Sequence, residues 1–426
     1  LFIKTELLFL IKQRSLSTVV EHLSRAFKSS SDSSNKSIER IVFRNQTHDT
    51  ENQARIKLSM NFEQNGALAS QHLKQLIDES VITLDSPIDS DQIQPASIDL
   101  RLGSIAYRVR ASFLPGKDRK VSDCLEEVVM HRMDLSDGAV LEKSCVYIVP
   151  LQEGLNLPND LAAAGNPKSS TGRLDVFTRL ITDNGTEFEQ VPAGYCGPLY
   201  AEIAPLTFSV LVRRGSRLSQ LRIRSGQSTI NDAEHFDLQK KQCLVDLELN
   251  AQEVKNGIPV RVDLAGDEAG LIGFRAKRHS GVIDVDKSSA QSISDFWEPL
   301  YSQSKQLILD PGEFYILVSK EAVHVPSAYA AEMVPYDTLV GEFRVHYAGF
   351  FDPGFGAAEA GGHGARAVLE VRSFDVPFLL EDGQNVGRLV YETMLATPDR
   401  LYGQGVPSNY QAQGLKLSKH FRMDSL

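Results

Sequence analysis

Apolar and polar residues alternate with a period of two along much of this chain, and the alternation is broken at short intervals by Gly, Pro, Asn or Asp. That period puts successive side chains on opposite faces of a sheet, so it predicts short, half-buried strands. Ile98-Asp99-Leu100-Arg101-Leu102 and Ala106-Tyr107-Arg108-Val109-Arg110 read this way, as does Leu206-Thr207-Phe208-Ser209-Val210, which runs on into Leu211-Val212. One segment has helical spacing. In Ala69–Glu79 the pairs His72-Leu73 and Leu76-Ile77 fall on one face, with Ser70 as the expected N-cap. No long helical pattern separates the strands, no G-x-G-x-x-G follows a strand, and no G-x-x-x-x-G-K-[ST] occurs. The expected class is all-β, of sandwich or barrel type.

The strand pattern also repeats. Tyr147-Ile148-Val149-Pro150 and Leu155-Asn156-Leu157-Pro158 are echoed by Tyr315-Ile316-Leu317-Val318 and Val323-His324-Val325-Pro326, so that Pro326 lies 168 positions after Pro158. Upstream, Ser97–Leu100 is echoed by Gly281–Val285; downstream, Gly197–Ile203 is echoed by Ala365–Val371 and Gly215–Leu221 by Gly383–Leu389. Four matches in one order indicate two diverged copies of a domain, joined near Asn250–Val262. The expected division is a tail over 1–62, a first copy over 63–250, a second over 251–402, and a lid-type C-terminal tail over 403–426.

Composition narrows the class. With 45 basic and 55 acidic residues the formal net charge is −10, which argues against a general nucleic-acid or anionic-membrane surface and leaves room for a local basic pocket. Cys124, Cys145, Cys196 and Cys243 form no Cys-x-x-Cys pair, which suits reduced thiols in a cytoplasmic protein and counts against a structural zinc site. The apolar run Leu7–Ile11 is too short to span a bilayer, and Ser29–Ser37 is a polar tract with no means of burying a core. Three readings stand for the first residues, up to Met60: a presequence, weakened by Glu6, Glu21 and Asp32; a disordered extension; or upstream sequence that is not native.

The densest chemistry lies in Pro167-Lys168-Ser169-Ser170-Thr171-Gly172-Arg173, which combines an ammonium, three hydroxyls, a guanidinium and a Gly. Such a set equips a chain to hold polyphosphate, although a Ser/Gly/Lys run taken alone also describes a solvated turn. Each copy places one glutamate inside an apolar strand, Glu202 in the first and Glu370 in the second. An outward-facing residue on a half-exposed strand is the ordinary explanation, but recurrence at the matched position favours function. A carboxylate desolvated there has a raised pKa, which suits proton transfer to and from water. Only the second copy has a tight hairpin before its glutamate, His346–Gly356, with Asp352-Pro353-Gly354 as its turn and small residues at Ala348 and Gly349 against which a flat base could lie.

The order of SSxxR, a DPG hairpin, an apolar strand bearing Glu, and G-x-x-x-x-Q-L resembles the dCTP deaminase and dUTPase superfamily, and within it the tandem-domain bacterial dCTP deaminases. Gln92–Gly103 looks like the opening of that form, and the resemblance runs from about Ala67 to Phe421. It implies two distorted jelly-roll barrels of the dUTPase-like (β-clip) type that assemble through threefold contacts into a homo-oligomer. It further implies hydrolytic deamination of dCTP to dUTP and ammonia, with a glutamate activating water and no zinc; neither H-x-E nor P-C-x-x-C, the strings of the zinc deaminases, occurs in this chain. Magnesium would accompany the triphosphate.

Carried over residue by residue, the resemblance assigns catalytic roles to Ser169, Arg173, Glu202 and Glu370, with Arg173 on phosphate or on the water. It assigns substrate binding to Lys168, Ser170, Gln220, Ala348, Asp352 and to Lys416 of the C-terminal tail. The copies also depart from the family. The second has Tyr336–Glu342 where SSxxR is expected, and the first has Gln190–Cys196 in place of the DPG turn. The expectation is a working phosphate site in the first copy, with the second either structural or lending its hairpin. A dUTP diphosphatase, or a bifunctional enzyme using Asp352, remains an alternative, as does a nucleotide-binding sensor without turnover.

Overall fold

The computed structural model describes residues 64–335, 343–345, 349–373, 375–404 and 413–422. The chain is mostly β, and its sheets come in two matching sets. In the first copy, one sheet orders Val129–Asp134, Ile105–Val109, Val146–Asn156, Cys196–Pro205 and Val176–Thr182. Its counterpart in the second copy orders Trp297–Tyr301, Leu271–Ala276, Phe314–Val323, Ala365–Ser373 and Phe343–Val345. The register carries the repeat down to single residues. Glu202 lies opposite Ile148 and Glu370 opposite Ile316, and both 370 − 202 and 316 − 148 give 168. Local bonds repeat as well: the Tyr147 hydroxyl accepts the Glu142 N–H at 3.0 Å, and the Tyr315 hydroxyl accepts the Asp310 N–H at 2.9 Å.

The other sheet of each copy faces the neighbouring copy. In the first, Arg217–Ser225 pairs with Ile98–Arg101 and Leu161–Pro167; in the second, Asn385–Thr393 pairs with Ile258–Arg261 and Tyr329–Pro335, which carries Phe350–Phe351 at its edge. Between them lies Arg222, with no exposed surface. Its guanidinium donates to Glu392 at 2.7 Å, Asp352 at 2.9 Å and the Ala331 carbonyl at 3.2 Å, and stacks 4.1 Å from the centre of the Phe350 ring. Arg224 adds bonds to Glu392 at 2.6 Å and Glu332 at 3.2 Å. Positions 224 and 392 are themselves 168 apart, so matched positions of opposite charge meet across the seam. Farther along, Arg372 binds Asp175 and Thr207, and Ile283–Asp284 of the second copy adds in parallel to Val210–Val212 of the first.

Four local expectations are corrected. The counterpart of Ile98–Arg101 is Ile258–Arg261, which pairs with Asn385–Thr393 as Ile98–Arg101 pairs with Arg217–Ser225; it is not Gly281–Val285, whose Ile283–Asp284 adds to Val210–Val212. The N-terminal helix is Ser70–Asp78, but its N-cap is Ala69, whose N–H is accepted by the His72 ring at 3.2 Å; Ser70 is already inside the helix. The strand expected over Leu206–Val212 starts only at Val210, because Leu206 and Thr207 bend to bond Asp175 through the Leu206 N–H and the Thr207 hydroxyl. A longer helix that the pattern did not predict, Asp232–Gln242, lies near the junction of the copies. It buries only His235 and Leu238, so its apolar stripe is too narrow to read, yet its Asn231/Glu234 capping box was visible in the sequence. Among the described residues, no helix is long and apolar enough to cross a membrane.

Removing one partner from a buried ion pair strands the other charge, at about 3–5 kcal/mol. Arg222→Met is therefore expected to lower the thermal midpoint by several degrees. The pH dependence follows from Glu392, which its two arginines hold down at about 2 against the cost of its burial. Its folded pKa is depressed, so the stabilisation is complete above the unfolded carboxylate pKa and is lost as the pH falls toward 2. Melting curves from neutral to acid pH should converge for parent and Arg222→Met at the acid end. A constant gap would contradict the assignment.

Candidate active site

A cavity of about 500 Å³ opens at the seam between the copies. One wall is the segment richest in donors. Pro167 ends its strand, the Lys168 backbone stays extended as an N-cap, and Ser169–Gly172 makes one helical turn closed by the Thr171 and Gly172 N–H groups on the Lys168 carbonyl. The turn brings Lys168, Ser169, Ser170 and Arg173 to the cavity, with Gln220 from the adjacent strand.

The opposite wall belongs to the second copy. The segment expected as a hairpin is corrected to a strand and a turn: Phe350–Phe351 pairs with Ala331–Glu332, and the turn that follows, set by Pro353 and by Gly354, bonds back to Val325. Gly354 has a φ of +98° that an L side chain rarely adopts, and a Cβ there would also lie 2.8 Å from Leu401. The turn places Gly349, Phe350 and Asp352 on the cavity, and the strand Ala365–Ser373 adds Glu370. Ala348 lies outside the described residues.

Arg173 and Glu370 meet across the seam. Both are buried, at 3% and 5% exposure, with Arg173 Nε 3.8 Å from Glu370 Oε1. That separation is too long for a hydrogen bond and close enough for a strong charge interaction. Burial dominates at Glu370, whose carboxyl is pushed up to about 7 with Arg173 pulling the other way. The arrangement is a carboxyl poised to exchange a proton near neutral pH beside a fixed positive charge.

Glu202 is not brought to this cavity. Its register neighbour on Val176–Thr182 is Arg179, which binds Glu202 through Nε at 3.0 Å and through Nη2. Arg179 is itself stacked on Phe177 and Phe188, with its guanidinium carbon 4.7 and 3.4 Å from the ring centres. The helix Val121–Val128 packs on the same face against Ile148 and Ile181. The first-copy carboxylate thus finds its cation within its own copy, whereas the cation described beside the second lies across the seam. Lys416 also departs from expectation: its carbonyl accepts from Arg173 Nη1 at 3.0 Å, and the ammonium that lines the cavity is that of Lys419.

Sequence reasoning missed several polar neighbours. Lys168 is paired with Asp99 and Arg217 binds Asp91 at 2.9 Å, all four lining the cavity, and Arg217 also binds Asp89 at 2.6 Å. Asp352 reaches the cavity with its carboxylate already bonded to Arg222, and burial pushes its pKa up despite that partner. A signal for Arg222 was present, since arginine on an apolar strand needs a buried acid to neutralise it.

Comparison with known proteins agrees with this layout. Residues 64–227 match the family model of the 2'-deoxycytidine 5'-triphosphate deaminase N-terminal domain, and residues 231–421 match that of the C-terminal domain. The chain belongs to the 2'-deoxycytidine 5'-triphosphate (dCTP) deaminase family. It is similar to the crystal structure of that deaminase from Agrobacterium tumefaciens, with 59% sequence identity and a TM-score of 0.74, covering 78% of this chain and 99% of the other. A "dCTP deaminase, dUMP-forming" of Methanobrevibacter smithii is 28% identical over 36% of this chain and 77% of its own length. A "dCTP deaminase" of Acidianus ambivalens is 25% identical over 41% of this chain and 93% of its own.

Because the Glu202–Arg179 pair stands apart from the cavity, Glu202→Gln should act on stability and not on binding. We expect a loss of about 1–3 kcal/mol from the weakened buried bond, with dCTP affinity unchanged in calorimetric titration. A clear drop in affinity at unchanged stability would place Glu202 in the site after all.

Proposed function

We propose that this dCTP deaminase converts dCTP to dUTP and ammonia, with Glu370 as general base and Arg173 as the charge that orients it. The observation that carries the reading is that these two buried groups face each other across the seam in one cavity. As a carboxylate, Glu370 takes a proton from water as its oxygen adds to C4 of the cytosine ring. The protonated group then returns that proton to the 4-amino group, which leaves as ammonia. A pKa of about 7 lets one side chain serve both steps near neutral pH.

Lys168, Ser170, Arg217 and Lys419 line the cavity and would receive the triphosphate, while Ser169 and the backbone at Gly349 would flank the base. Gln220 contributes a side-chain amide to the same wall. Magnesium would arrive on the triphosphate, whose oxygens are its usual ligands. The release of dUTP, and not dUMP, is favoured by Asp352: its carboxylate is committed to Arg222 and so is a poor base for a second water at the α-phosphate. We further infer that the paired sheets of each copy form a distorted jelly-roll barrel, over 63–250 and 251–402, and that a cytoplasmic oligomer forms through threefold contacts.

Glu370→Gln is expected to cut ammonia release by about 10²- to 10⁴-fold, the range for a lost general base, while dCTP still binds. The base works deprotonated, so the parent rate should fall as the pH drops below about 7. Phosphorus NMR of the parent reaction should show an intact triphosphate. Pyrophosphate in step with ammonia would mean a dUMP-forming enzyme, and binding without turnover a sensor.

A further inference from the structure

We propose that Gln413 is a positioning residue for deamination, holding the Arg173 guanidinium off Glu370 so that the carboxylate stays free to take a proton from water. The inference rests on Glu370 being the base.

Gln413 belongs to the C-terminal segment and is buried at 8% exposure. Its backbone carbonyl accepts the Arg366 N–H at 2.9 Å, and its side-chain NH₂ donates to the Arg366 carbonyl at 3.0 Å. Arg366 lies on the strand that carries Glu370, four positions before it. The remaining end of the carboxamide, Oε1, accepts from Arg173 Nη2 at 3.0 Å, while the Lys416 carbonyl accepts from Nη1 at 3.0 Å. One amide thereby ties the guanidinium of the first copy to the catalytic strand of the second. With both Nη groups drawn to the C-terminal segment, the group turned toward Glu370 is Nε, held at 3.8 Å.

That distance matters chemically. A carboxylate in a direct, two-point bond to Arg would be strongly held in its charged form and would be a weak base. With no cation nearby, burial would keep it protonated at neutral pH. Among the described residues, Arg173 is the charged group that acts directly on Glu370. Lys168, Asp352 and Lys419 line the same cavity. On Glu370's own strand Arg366 is paired with Asp263 and Arg372 with Asp175, and the residue opposite on Phe314–Val323 is the uncharged Ile316. The balance at Glu370 is therefore set chiefly by where Arg173 is held.

The test is kcat against pH from about 5 to 9 with magnesium-dCTP, for the parent, Gln413→Ala and Gln413→Glu, with Glu370→Gln as control. Gln413→Ala removes an acceptor and lets Arg173 close on Glu370. We expect kcat to fall on the order of 10- to 100-fold, with the acid limb moving down by about one unit. Gln413→Glu keeps the acceptor and adds a negative charge, so the limb should move up. Opposite shifts at similar melting temperatures support positioning, because a merely structural role would not produce them. If Gln413→Ala melts far below the parent, Gln413→Glu carries the test alone. An unmoved limb in the folded variants, with Glu370→Gln inactive, overturns the role of Gln413 and leaves Glu370 standing. Near-parental turnover by Glu370→Gln overturns the base assignment and this inference with it.

Discussion

The buried guanidinium of Arg222 is the interaction on which the cavity depends. It comes from the first copy, and it reaches Glu392, Asp352 and the Ala331 carbonyl of the second. A desolvated cation is tolerable only if its donors are met, and the acceptors that meet it sit on separate elements of the other copy. The two sheets therefore have little freedom to slide, and the hairpin bearing Asp352 is pinned against the wall that carries Lys168–Arg173. A hydrophobic seam of the same area would supply adhesion. The charged seam also supplies register, which a site split between two walls needs.

Divergence of the copies follows from the same geometry. Glu202 and Glu370 are equivalent in sequence and in strand register, yet their surroundings send them to different ends. Arg179, on the strand beside Glu202, bonds one oxygen of that carboxylate within its own copy. Glu370 is left to the arginine on the far side of the seam, 3.8 Å away. The first copy keeps the donor-rich turn and the second keeps the hairpin and the poised acid, so one complete cavity is assembled from two incomplete halves.

Much of this was legible in the chain. The period-two pattern gave the strands, the offset of 168 gave the two copies, and the donor-rich run at Lys168–Arg173 marked one wall of the cavity. What could not be read was set by neighbours distant in sequence. Whether a strand-centre glutamate faces a cavity or an ion pair depends on the residue across the ladder, and Arg179 occupies that place only for Glu202. The strand expected from Leu206 gave way to a bend because Thr207 and the Leu206 N–H bond Asp175, and Thr207 also meets Arg372 from the other copy. Asp232–Gln242 was hidden by a mostly polar surface, despite its capping box. Charge reversal at matched positions, Arg224 against Glu392, was present in the sequence, but only the fold brings the two together.

The central claim is that Arg173 of one copy and Glu370 of the other act as a unit. A double-mutant cycle on kcat/KM for dCTP, using Arg173→Met and Glu370→Gln, measures this most directly. If the two act together, the double variant will be no slower than the more impaired single variant. Losses that multiply would show two independent contributions and would contradict a shared site.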